Sequence, residues 1–167
     1  MSAAGPQLVV GYDGSPAARA AVGFALRRAT GGGHVIIVRA FDVPREPGDA
    51  LAYGDQLETA AEDAVASITA LVDSDPRFAT VDWERMVVIG EPAEVLVRIA
   101  AERDADEIVL GSRGLGRLDA LHGSVAHDVL HRADRPVTVM PLRMVDPCGE
   151  LRNRFAGAPD GAATPGP

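Results

Sequence analysis

The sequence predicts an α/β domain built on an open, parallel five-stranded sheet with helices on both faces. Three observations lead there. Short apolar runs without polar alternation, such as His34 to Ala40 (HVIIVRA), read as strands covered on both faces. Longer segments between them carry apolar residues at helical spacing. The two kinds alternate βαβαβαβαβ with short links, which calls for right-handed crossovers between parallel strands.

Gln7 to Tyr12 (QLVVGY) is the first strand. Asp13-Gly14-Ser15-Pro16 turns it into a helix, with Ser15 where an N-cap belongs and Pro16 at the first helical position. That helix runs from Ala17 to Arg28, with Ala21, Phe24, Ala25 and Leu26 on its buried side, and Gly31-Gly32-Gly33 ends it. His34 to Ala40 is the second strand. A loop with Pro44 and Pro47 leads to a helix from about Ala50 to Val72, carrying Leu57, Ala61, Ala64, Val65, Ile68 and Leu71 at helical spacing. Asp73 to Arg77 breaks it. Trp83 to Ile89 is the third strand. Gly90-Glu91-Pro92 then turns into a helix from Ala93 to Arg103, with Val95, Leu96 and Ile99 inward.

The stretch from Ile108 to Thr138 carries the functional signal. The strand Ile108-Val109-Leu110 stops at a loop with Gly111, Gly114 and Gly116. Gly123-Ser124 then opens a helix whose Val125, Val129 and Leu130 recur at helical spacing, and Val137 to Met140 is a closing strand. Glycines let backbone approach a ligand, and free N–H groups at a helix start attract negative charge. Ser124 can cap the helix or donate its hydroxyl to a phosphate. The plainer alternative is a tight strand-to-helix turn, common in α/β proteins.

A single domain of residues 7–142 is expected, with 143–167 a Pro/Gly/Ala-rich, disordered tail that has little to bury. Net charge is −8, and before Arg143 there are 21 acids against 13 arginines. That balance argues against nucleic acid or an anionic membrane as partner. The acids clustered between Asp42 and Asp63 read as a solvated helix face. The segment MSAAGPQ carries no positive charge and no apolar run is long enough to span a bilayer, so neither a secretory leader nor a membrane anchor is expected. The one cysteine, Cys148, rules out an internal disulfide and fits a reducing, cytoplasmic setting. With no lysine in the chain, the phosphate loop that ends in Gly-Lys-Ser/Thr is impossible. Nor is there a G-x-S-x-G elbow, and nothing resembles a base positioned for an attacking water. His127 and His131 are four apart, a spacing that can hold a metal, but no third ligand matches and they read as surface or dimer-face histidines.

With these residues in place, residues 7–142 resemble a universal stress protein. Gly111 and Gly114, separated by two residues, and Gly123-Ser124 match the glycine motif of the ATP-binding members. VVGYDGSP resembles the family's opening strand, and GEPAEVL is also family-like. The spacing departs once: eight residues, LGRLDALH, separate Gly114 from Gly123, where the family pattern has nine. The resemblance implies a Rossmann-like, adenine nucleotide hydrolase-like fold and an adenine-nucleotide module binding ATP or AMP, with Mg2+ bridging the phosphates. Asp13 would contact the nucleoside, beside Gly11 and Tyr12, and backbone at Ala40 the adenine. Gly111, Arg113, Gly114, Gly123, Ser124 and Val125 would surround the phosphates, and Pro136, Val137 and Thr138 would line the remaining wall. The resemblance also implies a homodimer through Val137 to Met140, which has no charge between Arg135 and Arg143 to guard an edge. A same-fold interaction protein that binds no nucleotide, and a slow ATPase, stay open beside that reading.

Overall fold

The computed structural model describes residues 5–41, 50–112 and 124–141. The strands are β1 (Gln7–Gly11), β2 (His34–Phe41), β3 (Asp82–Ile89), β4 (Glu107–Gly111) and β5 (Val137–Met140). The helices are α1 (Pro16–Arg28), α2 (Ala50–Ser74), α3 (Pro92–Glu102) and α4 (Ser124–Arg132). All neighbouring strands pair in parallel, in the order β3-β2-β1-β4-β5. The α/β fold with a five-stranded parallel sheet is therefore as the sequence predicts.

Burial explains why apolar runs without alternation became central strands. Leu8, Val9 and Val10 of β1 are all fully buried, their side chains pointing alternately to opposite faces. Leu8, Val10, Val35 and Ile37 pack with Val22 and Leu26 of α1 and Ile68 of α2. Val9, Ile36, Val38 and Leu110 pack with Leu96 and Ile99 of α3 and Val129 of α4. Each such aliphatic side chain contributes about 1.5–3 kcal/mol on burial. Two helices thus cover each face, and β1 lies at the centre of both cores.

Three details depart from the sequence reading. The stretch read as a break after α2 holds a short 3-10 helix, Pro76–Ala79, started by Asp75, whose carboxylate accepts from the Arg77 backbone N–H at 3.0 Å. Leu130, read as part of the apolar stripe of α4, is 56% exposed. Ala126 and Val129 occupy the inward positions of this nine-residue helix, and Leu130 falls outside their arc. Phe24 packs against the core but is only partly buried.

At the N-terminal end of the sheet, polar contacts tie strand starts to helix ends. Glu107 is buried, accepts from Arg28 Nε at 3.0 Å and accepts the Thr138 hydroxyl. Arg135 donates from one terminal nitrogen to the carbonyls of Ala100 and Ala105, both at 2.7 Å, and so closes the C-terminal end of α3.

Candidate functional site

The strand order places a topological switch point between β1 and β4: the chain winds from β1 through β2 to β3 on one side, then crosses back to β4 on the other. In open α/β sheets the crevice outside the carboxyl ends of the strands at such a point is where ligands bind. Here those ends carry Gly11-Tyr12-Asp13 and Gly111-Ser112. Each end stays bonded to its outer neighbour: Tyr12 N–H donates to Val38 O of β2 at 2.9 Å and Ser112 N–H to Met140 O of β5 at 2.8 Å.

The turn out of β1 is held by its own side chains. Asp13 Oδ1 accepts from the Ser15 backbone N–H at 2.9 Å, and Ser15 Oγ accepts from Ala18 N–H at 3.2 Å. Gly14 sits at φ 86°, a left-handed conformation that glycine adopts at least cost. The start of α1 therefore has an acid beside it and a serine cap on it, which compensates its positive end. Neither the first turn of α1 nor that of α4 contains an acid. The half-buried carboxylate of Asp13 suits hydroxyl or amine donors.

Gly111 has a second, structural reason to be glycine. A Cβ there would lie 2.8 Å from the Ala17 carbonyl carbon and from the Ala18 nitrogen. The first turn of α1 lies directly on the end of β4, so the two arms of the crevice are in contact through a glycine.

The structure brings Gly11, Asp13, Ala40 and Gly111 to one end of the sheet, all partly exposed, with the start of α4 at Ser124 following β4. Tyr12 joins them by its backbone alone. Its ring is buried in the α1–α2 core, and its hydroxyl lies 3.4 Å from Ser67 Oγ. Val125 packs partly buried against the α3–α4 core. Arg113, Gly114 and Gly123 lie outside the described residues. Pro136, Val137 and Thr138 are not brought to this end. Parallel pairing sets Val137 beside Ile108 and Thr138 beside Val109, so β5 begins at the opposite end of the sheet, and Thr138 is engaged there with Glu107. Met140 is the β5 residue paired with Gly111, and its side chain is buried in the α1–α2 core. The sequence reading passed over Ser112, although it directly follows Gly111 in the same loop.

At the same edge Glu91 caps α3, accepting from Ala93 N–H at 3.0 Å and Glu94 N–H at 2.8 Å. Arg132 of α4 donates to it at 2.9 Å. Burial alone would raise its pKa, but the two backbone donors and Arg132 outweigh this and hold the carboxyl below its usual value. Among the described residues no three or more His, Cys, Asp or Glu side chains group to hold a metal ion, and no helix is long and apolar enough to cross a membrane.

The strand order and the covered sheet define a Rossmann-like α/β protein. The universal stress protein family model matches residues 6–141, and the chain belongs to that family. It is 32% identical over 139 residues to a universal stress protein of Thermus aquaticus encoded 3′ of a sulfhydrylase gene, covering 80% of this chain and 96% of that one. It is 38% identical over 56 residues to universal stress protein MJ0577 of Methanocaldococcus jannaschii, covering 33% of this chain and 35% of that one. Among solved structures, MJ0577 matches with a TM-score of 0.73 at 23% identity, covering 83% of this chain and 97% of its own, a likeness of fold. A universal stress protein solved in complex with cAMP matches with a TM-score of 0.55 at 29% identity, covering 83% of this chain and 98% of its own.

Proposed function

We propose that this chain is an adenine-nucleotide-binding regulatory module of the stress response, taking ATP or AMP, and that it works as a cytoplasmic homodimer. The observation that carries the reading is that Asp13 and Gly111 stand at the carboxyl ends of β1 and β4, on either side of the switch point. In this reading the Asp13 carboxylate accepts from ribose hydroxyls or the adenine edge. Backbone at Gly11 and Ala40 flanks the base. The phosphates lie toward Gly114, Gly123 and Ser124, where main-chain N–H groups and Arg113 offset their charge. Mg2+ bridges phosphate oxygens without a cage of protein ligands, as it commonly does. A family relative at 29% identity solved with cAMP supports an adenine nucleotide as the ligand class.

The dimer half of the proposal rests on β5, an edge strand by sheet order and without a charged residue. A second copy pairing there closes both edges at once.

One observation favours a second reading. The eight-residue spacing between Gly114 and Gly123 is a residue short of the nucleotide-binding pattern, which fits a same-fold interaction protein that holds no nucleotide. One experiment separates the two. Protein purified without added nucleotide is denatured, and the released small molecules are identified by mass, beside a titration with a fluorescent ATP analogue. Adenine nucleotide in the release, or saturable binding of the analogue, supports the first reading. Absence of both sinks it.

A further inference from the structure

The geometry points to a second ligand site: His127 and His131 on α4 form a two-imidazole site for a divalent transition-metal ion of the zinc, nickel and copper class. They lie one turn apart on α4, both exposed, with ring centroids 4.5 Å apart and ring planes at 72°. Among the described residues, neither ring has a hydrogen-bond or ion-pair partner; each touches the other. Arg132, the nearest cation in sequence, is held on Glu91 at 2.9 Å. The lone pairs of these rings are therefore not committed elsewhere in the described structure.

The chemistry needs little rearrangement. Two metal–nitrogen bonds of about 2.0–2.1 Å at a tetrahedral angle set the donor atoms about 3.3 Å apart. The helix already fixes the two side chains as neighbours, with Cβ atoms about 5–6 Å apart, so only side-chain torsions must adjust. Neutral imidazole is a borderline ligand that suits zinc, nickel and copper better than magnesium or calcium. The face around the pair carries Leu130, 56% exposed, so an ion held by the two rings would be open to water for its remaining ligands. This site uses none of the residues proposed for the nucleotide.

Zn2+ alone is titrated calorimetrically at neutral pH into chelator-stripped protein without nucleotide, so phosphate-bound metal cannot contribute. One Zn2+ per chain is expected. His127→Ala and His131→Ala should each weaken it by about tenfold or more, because either change turns a chelating pair into a single ligand. Alanine favours helix, so both variants should fold, which far-ultraviolet circular dichroism checks. His122→Ala and Cys148→Ser serve as controls and should bind as the parent does. Absence of saturable Zn2+ binding by the parent overturns the site. So does parental affinity in both α4 variants, or a loss confined to His122→Ala or Cys148→Ser.

Discussion

Replacing Gly111 by alanine tests whether the crevice depends on α1 lying against the end of β4. Neither Gly111 nor Gly11 has a positive φ, so alanine at either place meets steric resistance alone. At Gly111 the new methyl would lie 2.8 Å from two main-chain atoms of α1 and 2.9 Å from the Ala17 Cβ, about 0.6 Å inside ordinary contact at 3.4 Å. Main chain cannot swing aside, and Ala17 and Ala18 are buried. The first turn of α1 must move, and with it the Ser15 cap. Overpacking costs about 1–3 kcal/mol, and a weakened cap adds about 1 kcal/mol. At Gly11 the obstacles are the tips of Leu110 and Leu96, at 2.6 and 3.1 Å, which can rotate. Removing a strand glycine returns roughly 0.5–1 kcal/mol of chain entropy, so Gly11→Ala should be close to neutral. Guanidinium unfolding midpoints at constant slope measure both. Gly111→Ala is expected to lose about 2–4 kcal/mol, or roughly 4–16 °C of melting temperature in a chain this size. Equal midpoints for the two variants, or a larger loss at Gly11, would refute the packing argument.

Three shorter predictions follow from the other contacts. Arg135→Ala should cost about 2–3 kcal/mol, because two carbonyls at the end of α3 lose a charged donor at 2.7 Å; Arg135→Lys should recover part of the loss, and denaturant midpoints decide. Glu91 is held below its usual pKa of 4.5, so it stabilises the fold above that value and ceases to as pH falls through the depressed one. Glu91→Gln should therefore flatten the acid limb of the melting-temperature profile below about pH 5; an unchanged limb assigns acid unfolding to other carboxylates. For the dimer, Pro136 O and Met140 O point toward β4, so alternation turns the backbone groups of Val139 outward. Val139→Pro removes an outward donor and no bond of the β4–β5 ladder, and light scattering should show monomer at micromolar concentration; a variant that stays dimeric moves the interface elsewhere.

Much of the fold was legible because burial on both faces leaves a plain trace. Val35-Ile36-Ile37-Val38 has no polar partner face to alternate with, which in a chain this short means the middle of a covered sheet. Serine and proline at 15–16, and the glycines at 31–33, mark helix ends by backbone requirements that few other residues meet. Leu130 was misread because three apolar residues on a nine-residue helix do not fix where its buried arc ends. The placement of the candidate residues was legible only in part. Asp13 follows β1 and Gly111 ends β4, and strand ends are where open parallel sheets bind ligands. Pro136 precedes β5 and Val137 opens it, and parallel pairing sends strand starts to the other end, a consequence of the predicted topology that motif matching passes over. The clash that makes Gly111 a packing glycine had no local signal, since Ala17 and Ala18 lie more than ninety residues away in the chain.

The residue missing between Gly114 and Gly123 falls between two anchored points, and this bears on what its absence can do. On one side β4 ends with Ser112 bonded to Met140. On the other, α4 is held by Val129, fully buried, by Ala126, and by Arg132 on Glu91. Neither anchor uses a residue of the spacing itself. A shorter connection therefore acts on the residues between these anchors before it changes the packing of α4. Inserting one glycine after Leu115 restores the nine-residue spacing and tests this. Closing a loop longer by one residue costs only about 0.1 kcal/mol, so the melting temperature should stay within about 1 °C of the parent. Affinity for the ATP analogue should change instead, rising if the family spacing sets the phosphate pocket. A fall of several degrees in melting temperature would mean that the loop length itself holds α4 in place, and that the missing residue is compensated inside the core.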